Sequence, residues 1–143
     1  MQIKIKRFDK DLPLPAYKTA GAVCIDLCAR VDTVIEPHQV GYIPLNVAFE
    51  IPKGCWIMIA ARGSTHKQGI MPVHGIGVGD VDFCGDNDEY QFPALNFTDK
   101  IVTIKKGARI AQAMVVKYEK MELVEVDKLE NIDRGGFGTT GAK

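Results

Sequence analysis

TVIEPHQVGYIPLNVAFEIPKGCWIMIA, residues 33–60, decides the fold. It holds four short apolar runs, TVIEP, VGYIPL, VAFEI and CWIMIA, separated by Pro-His, Asn and Pro-Lys-Gly pieces. Each run is too short for a stable helix. Each is rich in the β-branched and aromatic residues that suit a pleated surface, and the pieces between them are turn formers. The same rhythm continues outward. QIKIK (2–6) and VCIDLCA (23–29) precede the stretch; FPALNF (92–97), KIVTIKK (100–106), RIAQAMVVKY (109–118) and MELVEV (121–126) follow it. Strand-like runs about every 8–12 residues predict an all-β sandwich, barrel or jelly roll rather than alternating βα units. Helical periodicity is confined to STHKQG (64–69), where Ser64 or Thr65 would cap a single turn. Neither a repeat nor an internal domain boundary is visible. From Asp133 onward hydrophobicity collapses into glycine, so residues 1–132 are expected to form the β domain and 133–143 a flexible arm.

The totals narrow the function classes. A chain of 143 residues with 46% hydrophobic and 25% charged residues fits one ordinary globular domain. Formal net charge is zero, so no whole-molecule field favours nucleic acid or membrane, and any phosphate binding must come from local geometry. No apolar run approaches the roughly 18 residues of a membrane span, and Met1 leads into alternating charged sequence. These features predict a cytoplasmic protein. Cys24, Cys28, Cys55 and Cys84 lack the spacing of metal-ligand pairs and read as reduced thiols, with Cys24 and Cys28 as small buried hydrophobes.

Three segments can carry chemistry. GVGDVDFCGDNDEY (77–90) brings together Asp80, Asp82, Asp86, Asp88 and Glu89. In a strand Asp80 and Asp82 would share one face, where carboxylates can hold a cation or serve as a general base. A solvated acidic turn is the plainer reading. ARGSTHKQG (61–69) lets a guanidinium and the N–H groups of small residues converge on an anion, or is a surface turn with an incidental arginine. RGGFGTTG (134–141) offers glycines for a concave nest of N–H groups, threonine hydroxyls, and Phe137 to stack on a flat ring. Taken alone, a frayed terminus is the plainer reading. The P-loop, HExxH and GxSxG patterns are absent from the sequence.

Taken in order, GAVCIDLCA (21–29), ARGST (61–65), GVGDVDFCG (77–85), KGARIAQ (106–112) and RGGFGTTG (134–141) resemble the five motifs of the homotrimeric dUTPase family. The resemblance covers nearly the whole chain. It implies a jelly-roll-like (β-clip) subunit of a threefold-symmetric homotrimer, with active sites between subunits and the arm of one chain closing a site built by the other two. It further implies Mg2+-assisted hydrolysis of dUTP to dUMP and pyrophosphate, by water attack on the α-phosphate. By carry-over, Asp80 is the base that activates the water and Asp26 grips Mg2+ through water. Arg62, Gly63, Ser64, Gln112, Arg134, Thr139 and Thr140 bind phosphates. His74, Val78, Gly79, Phe83 and Phe137 surround the nucleoside. Neither nucleic acid nor membrane is implied as a partner.

The chain departs from the family pattern at several points. Gly63 stands for a serine, Phe83 for a tyrosine, Gly79 for a bulky aliphatic and His74 for an asparagine. Gly79 is expected to loosen packing where Asp80 must be aimed. The segment from Gly85 to Asn96 is longer than in many relatives, and the spacing from Arg134 to Phe137 is shorter. Two rival readings stay open: a pyrophosphatase with relaxed base preference, and a weakly catalytic nucleotide-binding regulator. A dCTP deaminase, which shares the fold, is disfavoured because its glutamate and serine-arginine arrangement is not found.

Overall fold

The computed structural model describes residues 1–136. The described residues form eleven strands and one short helix, so the all-β expectation holds. In order they are β1 (Lys4–Arg7), β2 (Ile25–Cys28), β3 (Thr33–Ile35), β4 (Val40–Pro44), β5 (Val47–Glu50) and β6 (Cys55–Ala61). A 3-10 turn (Thr65–Gln68) leads to β7 (Ile70–Pro72), β8 (Ile76–Gly79), β9 (Gln91–Asn96), β10 (Val102–Ile104) and β11 (Arg109–Lys117). All pairings are antiparallel: β1 with β5, β3 with β10, the four-stranded order β2-β11-β6-β8, and the three-stranded order β4-β9-β7.

Period-two patterning explains the layers. Along β6, Cys55, Ile57 and Ile59 are buried while Trp56, Met58 and Ala60 are half-buried on the other face. The buried face meets Leu27, Ile43, Val47, Phe92 and Ile110 in one continuous core. Removing such side chains from water is the main stabilising term, worth about 1.5–3 kcal/mol for each large one. Asn46 turns β4 into β5 at φ 66°, a left-handed conformation that asparagine tolerates. Its amide ties down the chain after β1, accepting from the Asp9 N–H at 2.6 Å and donating to the Asp9 carbonyl at 3.0 Å.

The helical turn begins after Ser64, though the Ser64 side chain makes no capping bond. Thr65 instead donates its hydroxyl to the Ile110 carbonyl at 2.6 Å, locking the turn to β11. Gly69 ends it at φ 78°, and a β-carbon there would press to 3.0 Å on Thr98 and Val102, so the reversal needs glycine.

Three expectations are corrected. MELVEV (121–126) is not a strand: these residues are exposed and pair with no strand among the described residues, and a strand persists only in a ladder. Two strands, β7 and β8, arise within the glycine-rich IMPVHGIGVG stretch, where no apolar run announced them. Cys24 and Cys28 are half-buried rather than core: Cys24 precedes β2, and Cys28 lies on the face opposite the buried Leu27 and Ala29. Among the described residues, regular structure ends at Lys117 and no helix is long and apolar enough to cross a membrane.

Candidate active site

The sheet β2-β11-β6 assembles the first half of the site. β11 lies between its neighbours with Gln112 opposite Asp26 on one side and Ala60 on the other. That register carries Asp26, Gln112 and the end of β6 to one edge, where Arg62 follows. Arg62 Nε donates to Asp26 Oδ1 at 2.9 Å, and Arg109 Nη1 donates to Oδ2 at 2.8 Å. Arg62 also donates through Nη1 to the Arg109 carbonyl at 3.1 Å. The Asp26 side chain is only 13% exposed, so the carboxylate is gripped by both guanidiniums with little competing water. Gln112 donates to the Ala61 carbonyl at 3.0 Å, leaving its side-chain oxygen available to a donor. The geometry thus unites Asp26, Arg62 and Gln112, and adds Arg109, which the sequence reading passed over inside the KGARIAQ segment it quoted. Gly63 and Ser64 lie exposed beside them, and nothing comes within 4 Å of a β-carbon built on Gly63.

The second half is an open pocket of about 700 Å³ lined by His74, Val78, Gly79, Asp80, Phe83 and Tyr90, among others. Its walls are mainly apolar, with few polar groups, which suits a flat heterocycle and sugar. β8 stops at Gly79, so Asp80 stands at the strand end and Asp82 lies in the following turn. The shared strand face expected for Asp80 and Asp82 therefore does not form. The Phe83 N–H donates to the Asp80 carbonyl at 3.3 Å and closes that turn.

Gly79 is buried and its surroundings are tight, contrary to the expectation of loose packing. A β-carbon there would lie 2.3 Å from Tyr90 Oη and 2.4 Å from Ile57 Cγ2. Tyr90, another residue the sequence reading missed, fills the space beneath the strand end. The acidic loop that follows is braced from outside. Glu89 takes a bidentate pair from Arg30, at 2.7 and 2.9 Å, and accepts the Asn46 N–H at 2.9 Å. Asp88 accepts the Gly85 N–H at 2.6 Å, and Lys6 reaches the Asp86 carbonyl at 2.6 Å.

These two halves stand apart within one chain. Ile57 pairs with Gly79, whereas Arg62 lies beyond the other end of β6. At roughly 3.3 Å per residue, Arg62 is about 16 Å along the strand from the Asp80 end. Arg134 lies exposed near the end of the described residues. The expectations placed on Phe137, Thr139 and Thr140 fall outside those residues.

An all-β scaffold carrying a carboxylate-guanidinium cluster and a separate apolar pocket with a carboxylate at its rim has groups suited to an anion and to a flat ring. Comparison with known proteins is more specific. The sequence model of the dUTPase family matches residues 10–141. The chain is 41% identical over 145 residues to the SPbeta prophage-derived deoxyuridine 5'-triphosphate nucleotidohydrolase YosS of Bacillus subtilis, covering all of both chains. It is 37% identical to the deoxyuridine 5'-triphosphate nucleotidohydrolase of Hydrogenobaculum, again over both full lengths. Among solved structures, the Staphylococcus bacteriophage 80alpha dUTPase with dUpNHpp superposes at a TM-score of 0.83, covering 98% of each chain at 20% identity. The chain belongs to the dUTPase family, and its fold is the jelly-roll-like fold of that family.

Proposed function

We propose that the protein hydrolyses dUTP to dUMP and pyrophosphate. The observation that carries this reading is the pairing of an apolar pocket bearing Asp80 with a separate arginine cluster on Asp26, in a chain 41% identical to a deoxyuridine 5'-triphosphate nucleotidohydrolase. Asp80 would orient and deprotonate a water for in-line attack at the α-phosphorus, since a carboxylate can accept both hydrogen bond and proton. Val78 and Phe83 would support the nucleoside, with His74 at the pocket wall. Arg62, the Gly63–Ser64 backbone and Gln112 would hold phosphate oxygens; Arg134, Thr139 and Thr140 would add donors from the arm, and Phe137 would cover the base.

The residues present favour a loosely held Mg2+. Both Asp26 oxygens already accept from arginine, and no group of three His, Cys, Asp or Glu side chains suited to a metal occurs among the described residues. A carboxylate has about four lone-pair sites, so Asp26 retains capacity to hold a metal-bound water. That fits an ion bound chiefly by substrate phosphates and water. When bound, Mg2+ supplies neutralisation of charge developing on the phosphates.

A complete site would form between copies. The separation of Asp80 from Arg62 along β6 supports a homotrimer in which one chain supplies the nucleoside pocket and another the phosphate cluster. Met121, Leu123, Val124 and Leu129 are largely exposed on a segment unpaired within the described chain, which fits burial against a neighbouring copy. The arm from residue 133 onward would then close a third position. A soluble cytoplasmic setting, close to its nucleotide substrate, fits this reading.

Pyrophosphate release from dUTP, dCTP, dTTP and UTP with Mg2+ tests the proposal. Preferential release from dUTP is expected. Comparable rates on dCTP would sink uracil readout, and no release from any of them would favour nucleotide binding without turnover. One observation supports that second reading: the empty space around Gly63, where a serine hydroxyl would meet a phosphate oxygen. Gly63→Ser should then raise turnover sharply from a very low starting value.

A further inference from the structure

Tyr90 forms the floor of the apolar pocket, and the fold fixes it from several directions. Its N–H donates to the Val47 carbonyl and its carbonyl accepts the Leu45 N–H, both at 2.9 Å. Its ring meets Phe49 at 5.8 Å and takes Phe83 edge-on at 5.0 Å. The residue is 7% exposed. Yet its hydroxyl has no hydrogen-bond partner, the one buried side-chain oxygen or nitrogen in that condition among the described residues. Phenylalanine would pack equally well without an unsatisfied polar atom, so the retained oxygen calls for a use.

Its position suggests that use. The hydroxyl lies against Gly79, where a β-carbon would come within 2.3 Å of it, and the next residue is Asp80. Burial first, then the charges of Asp80 and Asp88 and the Cys84 thiol, push the phenol up to about 12. Oη is therefore a donor at any ordinary pH. Of the acidic groups nearby, Asp88 is turned toward the Gly85 N–H and Glu89 toward Arg30 and Asn46, whereas the Asp80 carboxylate, directly after Gly79, has no hydrogen-bond partner among the described residues. Phe49 and Ile57, contributed by β5 and β6, offer no acceptor. Asp80, exposed on the pocket lining, is thus the unengaged carboxylate open to the proton donor.

We propose that Tyr90 is a positioning residue: its hydroxyl donates to the Asp80 carboxylate when nucleotide fills the pocket, and so aims that carboxylate at the attacking water. This rests on the reading of Asp80 as the base. Tyr90→Phe removes one oxygen and keeps both ring contacts. The expected result is a kcat on dUTP lowered about tenfold, the scale of one hydrogen bond to a charged group, with KM within about twofold. Melting temperature should hold or rise, because an unsatisfied group is lost. An unchanged kcat overturns the proposal, and so does a rise in KM alone or a loss of activity that merely tracks a lower melting temperature. Asp80→Asn is measured alongside. Turnover retained there refutes the Asp80 reading itself, whereas turnover lost there but normal in Tyr90→Phe refutes only the role of Tyr90.

Discussion

Arg30 and Glu89 form a two-pronged ion pair, Nε to Oε1 at 2.7 Å and Nη2 to Oε2 at 2.9 Å, that ties the loop after β8 to the chain after β2. Glu89 is 11% exposed in its side chain and also accepts the Asn46 N–H. The pair holds the guanidinium more firmly protonated than usual, chiefly through the hydrogen bond to Glu89. Arg30→Ala would leave that carboxylate enclosed without its cation. A loss of about 2 kcal/mol in urea unfolding is expected, the partial exposure of Arg30 moderating the cost of a fully buried pair. KM for dUTP should rise too, because Glu89 lies directly before the pocket floor.

Gly79→Ala should destabilise the protein by about 1–3 kcal/mol, the usual range for forcing atoms into a filled core. The added carbon meets Tyr90 Oη, Tyr90 Cε1 and Ile57 Cγ2, all within 2.7 Å. Denaturant midpoints check this. A neutral result would mean that the phenol can swing away at no cost.

The Tyr90 phenol makes stability depend on alkaline pH. Its folded value of about 12 exceeds the ordinary value of 10, so the folded state keeps its proton where the unfolded chain has lost it. The stabilisation is fully present below pH 10 and is lost as pH rises toward 12. At about 1.4 kcal/mol per unit, the wild type should lose roughly 2–3 kcal/mol more than Tyr90→Phe across that window. Parallel unfolding curves for the two proteins, with no divergence above pH 10, would contradict it.

Asp26→Asn should release one of the two arginines. An amide can accept from one guanidinium but turns its NH2 group toward the other, leaving two cations close together. A rise in KM of about tenfold is expected, with a stability loss of about 1–2 kcal/mol, on the scale of charge-assisted bonds to one carboxylate. Steady-state kinetics beside thermal melts would separate these two effects.

Much of this was legible in the chain, for reasons that differ by segment. Runs such as CWIMIA and RIAQAMVVKY announce strands because local residue type and burial agree. β8 was not announced, because IGVG acquires its strand only by pairing with β6, a tertiary choice that glycine permits without advertising. MELVEV misled for the opposite reason: its alternation is real, but its own described chain supplies no neighbour. Motif order pointed to Asp26, Arg62 and Gln112, which the pairing of β2, β11 and β6 places side by side. Arg109 escaped notice because its role depends on reaching across to β2. Tyr90 escaped notice because nothing local shows that its hydroxyl lies under Gly79.

The separation along β6 also bears on how such a protein can change. On the proposed reading, the nucleoside pocket with Asp80 lies at one end of a seven-residue strand and the phosphate-holding arginines lie at the other. The loop from 86 to 90 can therefore lengthen, shift its anchors or exchange residues without disturbing the arginine cluster. Changes at the arginine end likewise leave Asp80 and its pocket in place, so the two halves can vary separately within one chain.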